Sequence, residues 1–402
     1  MLYASTLLGT FLNFVASVVN TNNLPPNEYG DVRYVQNLIQ FFSWILLFGY
    51  FLSGSRLLAL TDDLQRRRRI RGGLVMILGV TVVLLALSTT VVGLFFGNNP
   101  ALSRLFFLSI PVSMYPLLIN YFNTVAQGDN HIGRLSLARC LPPLLYVPLA
   151  WWIYASYGAT PTRMMLLQWG LYSLVIVLLV ASTRPSFKGL KEIFADIQRE
   201  NRSYGIRLYV GSLAMVATTY IAGVMLGHFN LDNSVVAYYT LALTLTTPLS
   251  YLPGIIGTTY FRQFATQKVI PRKVLWATLL LTVISCVVYI IAIRPLVSWF
   301  YPDTYSSVAV YASWLGVGFC IHGIGDMFNR FLGSHGQGLA IRNSSFACGI
   351  FKTAGFIGLV WLMGVEGAII THVIGSAIYT VCLCFYYLRF VRQKNDTISD
   401  VQ

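Results

Sequence analysis

The chain alternates apolar runs of about twenty residues with short polar segments from its first residues to within about fifteen of its last. Twenty residues rising about 1.5 Å each as an α-helix match the roughly 30 Å hydrocarbon layer of a bilayer. The runs fall near 2–20, 34–58, 74–96, 104–127, 135–157 and 164–182, and again near 207–228, 235–261, 274–293, 305–331, 343–363 and 367–388. They are too long and too uniformly apolar for the alternating strands of a membrane barrel. Within lipid every backbone donor and acceptor needs an internal partner, which a helix supplies by itself. The pattern therefore predicts an all-α polytopic membrane protein with about twelve transmembrane helices.

Composition points the same way. Of 402 residues, 56% are hydrophobic and 10% charged, against about 25% charged in a soluble domain. That much apolar surface in water would form large exposed patches. The six cysteines (Cys140, Cys286, Cys320, Cys348, Cys382 and Cys384) all lie in apolar runs with no CxxC or Cys/His ligand spacing. They read as small buried hydrophobes, with no disulfide, metal or other cofactor expected. The stretch Met1–Asn20 lacks a basic start and a small-residue cleavage site, so it reads as a first span and not a signal peptide.

The net charge of +14 resides in the connections between runs, which argues for membrane orientation and against a nucleic-acid partner. One side collects Arg56, Arg66–Arg69, Arg71, Arg134, Arg139, Arg184, Lys188, Lys191, Arg199, Arg202 and Arg207 from the first half. From the second half it collects Arg262, Lys268, Arg272, Lys273, Arg330, Arg342, Arg389, Arg392 and Lys394. The other side has only Arg33, Arg104, Arg163 and Arg294, and Lys352 falls inside a span. Such asymmetry predicts an even span number with both termini cytoplasmic.

Two halves emerge: a six-helix bundle over 1–183, a cytoplasmic linker over 184–206, and a second six-helix bundle with a short basic tail over 207–402. The linker carries apolar Leu190, Ile193, Phe194 and Ile197 among charges, the pattern of an interfacial helix. Phe122-Asn123 ends span four before Gln127-Gly128-Asp129, and Phe328-Asn329 ends span ten before Gly333-Ser334-His335-Gly336. A repeat in which each half starts and ends on one side is parallel, and such pairs enclose a central cavity about which they rock.

Polar side chains within spans mark where that cavity is expected. Span one carries Thr6, Thr10, Asn13, Ser17 and Asn20 on one helical face. Span two carries Arg33, Asn37, Gln40 and Trp44, and span eight carries Thr240, Thr244, Thr247 and Tyr251 at the same spacing, one repeat later. Hydroxyls alone often serve to glue membrane helices together. Amides cost more to bury and suit sugar hydroxyls. Pro111 and Pro116 in span four, Pro142, Pro143 and Pro148 in span five, and Pro248 and Pro253 in span eight predict kinks.

Charges within or beside the membrane are functional candidates. Lys352 has two readings, an attractor for a diphosphate or a structural partner of Asp326 in span ten. Asp326 lies four residues before Arg330, the spacing of an ordinary helical ion pair, and is also the candidate for ion coupling. Arg33 and Arg56 mark the two ends of span two. His322 and His372 read as helix-packing residues or proton carriers.

The stretch Leu24-Pro25-Pro26-Asn27-Glu28-Tyr29-Gly30, then the polar-to-apolar span ending in Gly49 and Ser53-Gly54-Ser55-Arg56, resembles the polysaccharide-export flippases. These are the O-antigen (Wzx-type) branch of the multidrug/oligosaccharidyl-lipid/polysaccharide (MOP) superfamily. Val236-Ala237-Tyr238-Tyr239-Thr240-Leu241-Ala242 resembles the matching motif of the second half. The resemblance covers the whole chain and implies alternating access of a central, often cationic cavity to an undecaprenyl-diphosphate-linked oligosaccharide. It implies that spans one, two, seven and eight line the cavity and that Arg56 matches a basic residue ending span two. Asn22 stands where a basic residue is usual, and Ala222-Gly223 where many members have an acidic–basic pair.

The leading function is thus flipping of a lipid-linked oligosaccharide for O-antigen or other surface polysaccharide (including lipopolysaccharide), beside a polymerase and glycosyltransferases. A rival is another MOP exporter, for drugs or a peptidoglycan precursor; the scarcity of carboxylates within spans, Asp326 apart, argues against the drug exporter. An enzyme such as a polymerase or glycosyltransferase needs acid–base groups, commonly on a sizeable outer loop. The outer connections here are short and hold no paired carboxylates or His/Asp cluster, so no enzymatic activity is expected.

Overall fold

The computed structural model describes residues 2–230 and 232–399. The described residues are helical apart from turns and loops, and they form two compact units, Met1–Tyr220 and Ile221–Gln402, with the boundary inside one helix. The first unit contains α1 (Leu2–Thr21), α2 (Pro26–Ile45), α3 (Tyr50–Ala59), α4 (Leu64–Phe95), α5 (Pro100–Ser109), α6 (Tyr115–Gly128), α7 (Ile132–Tyr157), α8 (Pro161–Ser182), α9 (Leu190–Glu200) and the start of α10 (Ile206–Phe229). The second holds the rest of α10, then α11 (Ser234–Thr246), α12 (Tyr251–Thr259), α13 (Phe261–Thr266), α14 (Arg272–Phe300), α15 (Ser307–Ser334), α16 (Gly338–Met363) and α17 (Val365–Ser399).

Each of the twelve expected spans coincides with a helix or a broken pair of helices. Among the described residues, 9 helical segments are long and apolar enough to cross a membrane, or up to 10 with the bent pair α2–α3. Helices α7 and α10, 26 and 24 residues long, occupy the places of spans five and seven. Lipid-facing surface is plain on α14, whose Ile284, Val287, Val288 and Ile291 are all exposed, and on α4 through Val80, Val83, Leu87 and Val91. Exposed apolar stripes of that length belong in hydrocarbon, not water.

Proline acts unevenly. Pro25 and Pro26 start α2, where a missing N–H costs nothing. Pro111 sits in a single 3-10 turn that separates α5 from α6, and α11 gives way to a similar turn at Thr247–Ser250, which contains Pro248. Helix α7 instead runs through Pro142, Pro143 and Pro148 as one element, and α15, the counterpart of α5–α6, has no proline and is unbroken.

The sharpest discontinuity lies in span two. Helix α2 stops at Ile45, Phe48 and Gly49 turn left-handed at φ of 47° and 78°, and α3 departs at 61°. Irregular backbone inside a span needs internal partners. The Tyr209 hydroxyl donates to the Ile45 carbonyl at 2.7 Å, Asn201 Nδ2 donates to the Phe48 carbonyl at 3.0 Å, and Ser53 Oγ donates to Asn201 Oδ1 at 3.0 Å. Gly49 is required twice over, by its φ and because a Cβ there would lie 2.6 Å from Gly205 backbone atoms.

The linker forms the expected amphipathic helix. In α9, Ile193 and Ile197 are buried, with Ile193 packed on Gly73 of α4, while Lys191, Glu192 and Arg199 are exposed and Asp196 and Glu200 pair with Arg66 and Arg56. In the second unit α15 is the packing centre, touching α11, α12, α14 and α17. Its Phe331 joins Phe264, Met327, Leu383 and Tyr387 in a buried cluster. Within the first unit, side chains from α2, α6 and α10 line a common cavity.

Candidate substrate cavity of the N-terminal unit

About three turns of α2 present Arg33, Asn37, Gln40 and Trp44 on one face, and they meet different surroundings. Arg33 is held by its own helix: Nε and Nη2 donate to the Tyr29 hydroxyl at 2.8 and 2.6 Å, and Nη1 donates to Gln36 Oε1 at 2.8 Å. Buried Gln36 in turn donates to Gln168 of α8 at 3.2 Å. Asn37 is half-buried, with no side-chain hydrogen bond among the described residues.

Gln40 and Trp44 line a cavity of about 430 Å³ with Tyr115, Pro116, Ile119, Asn120 and Asn123 of α6 and with Tyr220 of α10. That is within the size range of small-molecule sites. The side-chain amides of Gln40, Asn120 and Asn123 have no hydrogen-bond partner among the described residues, and Asn123 Oδ1 is fully buried. A second cavity of about 360 Å³ shares Trp44 and Asn120 and continues along the break of span two between Leu47, Phe51, Leu52 and Leu208. A chamber of unpaired amides and aromatic rings therefore adjoins an apolar one. Such a chamber can bond hydroxyls of a polar ligand and stack against its flat faces.

Helix α1 distributes its polar stripe differently. Asn13 is exposed and accepts from the Tyr172 hydroxyl at 3.3 Å, while its Nδ2 bonds the Gly9 carbonyl. Ser17 is buried and donates to the Phe14 carbonyl. Asn20 is fully enclosed against α7, where its Oδ1 accepts from the hydroxyls of Tyr146 at 2.6 Å and Tyr154 at 3.1 Å. Arg56 is exposed on α3, paired with Glu200 at 2.6 Å and stacked 4.6 Å over the Tyr204 ring.

In the second unit, Thr244 and Thr247 are half-buried and bond back to the Thr240 and Leu243 carbonyls. Thr246, one step off the expected stripe, is buried and joins Tyr289 at 2.9 Å. The side chain of Tyr251, like those of Arg262 and Lys394, lies outside the described residues. Asp326 differs from expectation. It forms no ion pair with Arg330 or Lys352 and instead accepts from the Tyr379 hydroxyl at 3.0 Å, which itself accepts from Asn329 Nδ2 at 2.6 Å. The Tyr379 ring stacks on His322 at 4.3 Å, so α17 supplies the group that helical spacing assigned to Arg330. Lys352 is half-buried, with its stem against Gly375.

Sequence reasoning placed no role on Asp129, yet it is the hub of the largest ion cluster among the described residues. Asp129 is 1% exposed and forms ion pairs with Arg71 Nε at 2.7 Å and Arg67 Nη2 at 2.8 Å, accepts a hydrogen bond from Arg67 Nε at 3.0 Å, and lies 3.2 Å from His131 Nδ1. Arg71 also donates to the Thr183 carbonyl, so the start of α4 and the ends of α6 and α8 are tied together. Asn120 and Asn123 were likewise missed as site residues. Their i,i+3 spacing on span four was the available signal.

A model of the family described as polysaccharide biosynthesis protein matches residues 1–264. No curated protein matches the sequence significantly. Among solved structures, the lipid II flippase MurJ in an inward closed conformation is similar with a TM-score of 0.73 at 13% identity, over 97% of this chain and 88% of that one. An inward-facing multidrug resistance MATE family transporter of the MOP superfamily gives 0.69 at 15% identity, over 97% and 96%. A MOP superfamily transporter from Pyrococcus furiosus gives 0.57 at 13%, over 97% and 94%. With the fold of MOP-superfamily transporters and flippases along nearly its whole length, the chain belongs to the polysaccharide biosynthesis protein family.

Proposed function

We propose that this protein flips a lipid-linked oligosaccharide, carried on undecaprenyl diphosphate, across the bacterial inner membrane by alternating access. The observation that carries the reading is the chamber of the first unit, where the amides of Gln40, Asn120 and Asn123 stand unpaired among Trp44, Tyr115 and Tyr220. Unpaired amides within a span are costly unless something polar answers them, and sugar hydroxyls do so in both directions. The adjoining apolar space along the α2–α3 break suits the hydrocarbon of a lipid carrier. Membership of a polysaccharide biosynthesis family supports a glycan cargo, and the likeness to a lipid II flippase supports a fold able to move one.

In this reading Asn13, Asn37 and Gln40 contact sugar, Arg33, Arg56 and Lys352 draw the diphosphate, and the Asp326–Tyr379 pair takes part in coupling. Both termini face the cytoplasm in this reading, which the basic connections support, and the product passes to a polymerase. The test is complementation of a deletion strain by Gln40→Leu and Asn123→Leu variants, each checked for normal abundance. Loss of surface polysaccharide supports the chamber. Full complementation by both removes it from the pathway. An exporter of drug-like cations, the function suggested by the MATE-like fold, would instead show drug sensitivity on deletion with polysaccharide intact.

A further inference from the structure

The run Arg66–Arg69 with Arg71 looks uniform in sequence, but the structure divides it. Arg66 pairs with Asp196 of α9 at 3.0 Å, and Arg67 and Arg71 are committed to Asp129. Arg68 and Arg69 have no acidic partner among the described residues, and neither do Arg184 and Lys188 of the α8–α9 connection. Those four cations line one cavity of about 660 Å³ together with Ser186 and Phe187. Asp63, five residues before Arg68, is engaged in capping α4 through the Gln65 N–H at 2.8 Å, and Glu192, four residues after Lys188, forms no ion pair among the described residues.

The cavity is preformed. Ser186 N donates to the Arg68 carbonyl at 2.8 Å, Arg71 grips the Thr183 carbonyl, and a Cβ on Gly72 would collide with the Ser186 carbonyl. The connection is thereby clamped to the first turns of α4, and Gly189, at φ of 66°, turns the chain beside Arg69. Four like charges gathered without counterions repel one another unless an anion joins them. The apolar rim indicates which anion. Phe187, which lines the cavity, is 52% exposed, and Leu64, one helical turn before Arg68 on α4, is 68% exposed. Cations flanked by bare apolar side chains match a molecule with a phosphate head and hydrocarbon tails.

We infer that Arg68, Arg69, Arg184 and Lys188 form a binding site for the phosphate of an anionic glycerophospholipid, with Phe187 and Leu64 against its acyl chains. The site is separate from the amide chamber and does not depend on the flippase reading. Its role is to fasten the linker helix α9 to the start of α4 at the bilayer surface.

The test uses the full chain in nanodiscs of equimolar phosphatidylcholine and phosphatidylglycerol, with native mass spectrometry of the retained lipid. Retention of phosphatidylglycerol over phosphatidylcholine is expected. In an Arg68→Gln/Arg184→Gln variant that preference falls by about 30-fold, at roughly five-fold per cation. Neutralising Arg104 and Arg163 on the opposite face leaves it unchanged. Equal retention of both lipids, or an unaltered preference in the variant, overturns the proposal. Displacement of the lipid by millimolar inorganic phosphate or pyrophosphate identifies a site for free phosphate and overturns the lipid as occupant. If the double variant fails to assemble, Lys188→Gln alone, an exposed loop substitution, still has to show about a five-fold loss.

Discussion

The Asp129 cluster allows the firmest energetic prediction. Asp129 and Arg71 have side chains 1% and 8% exposed, so their charges are jointly removed from water and each depends on the other. Deleting one partner of a buried pair leaves the other uncompensated, at about 3–5 kcal/mol. In Asp129→Asn the amide oxygen still accepts one bond, and Arg71 keeps its contact with the Thr183 carbonyl, which sets the expectation near the lower end, about 3 kcal/mol. Arg67, 23% exposed, is partly screened, so Arg67→Ala is expected to cost only about 1 kcal/mol. Replacing the pair together, Asp129→Leu with Arg71→Met, removes both charges and recovers most of the loss. Equilibrium unfolding in mixed micelles, arranged as a double-mutant cycle, reads the coupling directly. If Asp129→Asn costs less than about 0.5 kcal/mol, or if the two substitutions simply add, the cluster is not a buried clamp and the reasoning is refuted.

Other expectations follow from single contacts. A Cβ at Gly128 would run into the Ser55 carbonyl, so Gly128→Ala is expected to force α3 and α6 apart at about 1–3 kcal/mol, measured by the same unfolding assay. Asn20→Ala leaves the Tyr146 and Tyr154 hydroxyls, 3.1 Å apart, only each other, so one of the two loses its acceptor at about 1–3 kcal/mol, while Asn20→Asp retains the acceptor. Burial, with Arg134, Arg71 and Arg67 adding to it and Asp129 opposing, holds the His131 imidazole below its ordinary value. The unfolded chain then binds the extra proton first, so this contribution is whole above about pH 6.5 and is lost as the pH falls below that. A His131→Gln variant with a flatter stability profile between neutral and mildly acidic pH checks it.

Hydropathy alone located the described helices that are long and apolar enough to cross a membrane, because each run is long and the penalty for unpaired backbone in lipid leaves no other local choice. The amphipathic helix of the linker was equally readable, since Ile193 and Ile197 recur at helical spacing. What periodicity does not carry is which residues meet across the fold. Asp129 sat in a turn with ordinary turn residues, and nothing local tied it to Arg67 and Arg71 across a whole helix hairpin. Asp326 was assigned to Arg330 by spacing, but Tyr379 from another helix reached it first. The proline count overstated disruption in α7, whose neighbours α1 and α8 pack along it. In the chamber, the span-two stripe gave Gln40 and Trp44, while Asn120 and Asn123 emerged only once α6 was laid beside α2.

The central claim is that the protein moves a glycan on a lipid carrier from one leaflet to the other. Its most direct test is the purified protein in vesicles loaded with an undecaprenyl-diphosphate-linked oligosaccharide on one leaflet, probed by a membrane-impermeant sugar-modifying reagent. The account predicts that sugar becomes reachable from the far side only when the protein is present, and at a much reduced rate in Gln40→Leu or Asn123→Leu. Sugar that stays on its starting leaflet in the presence of folded protein would contradict it.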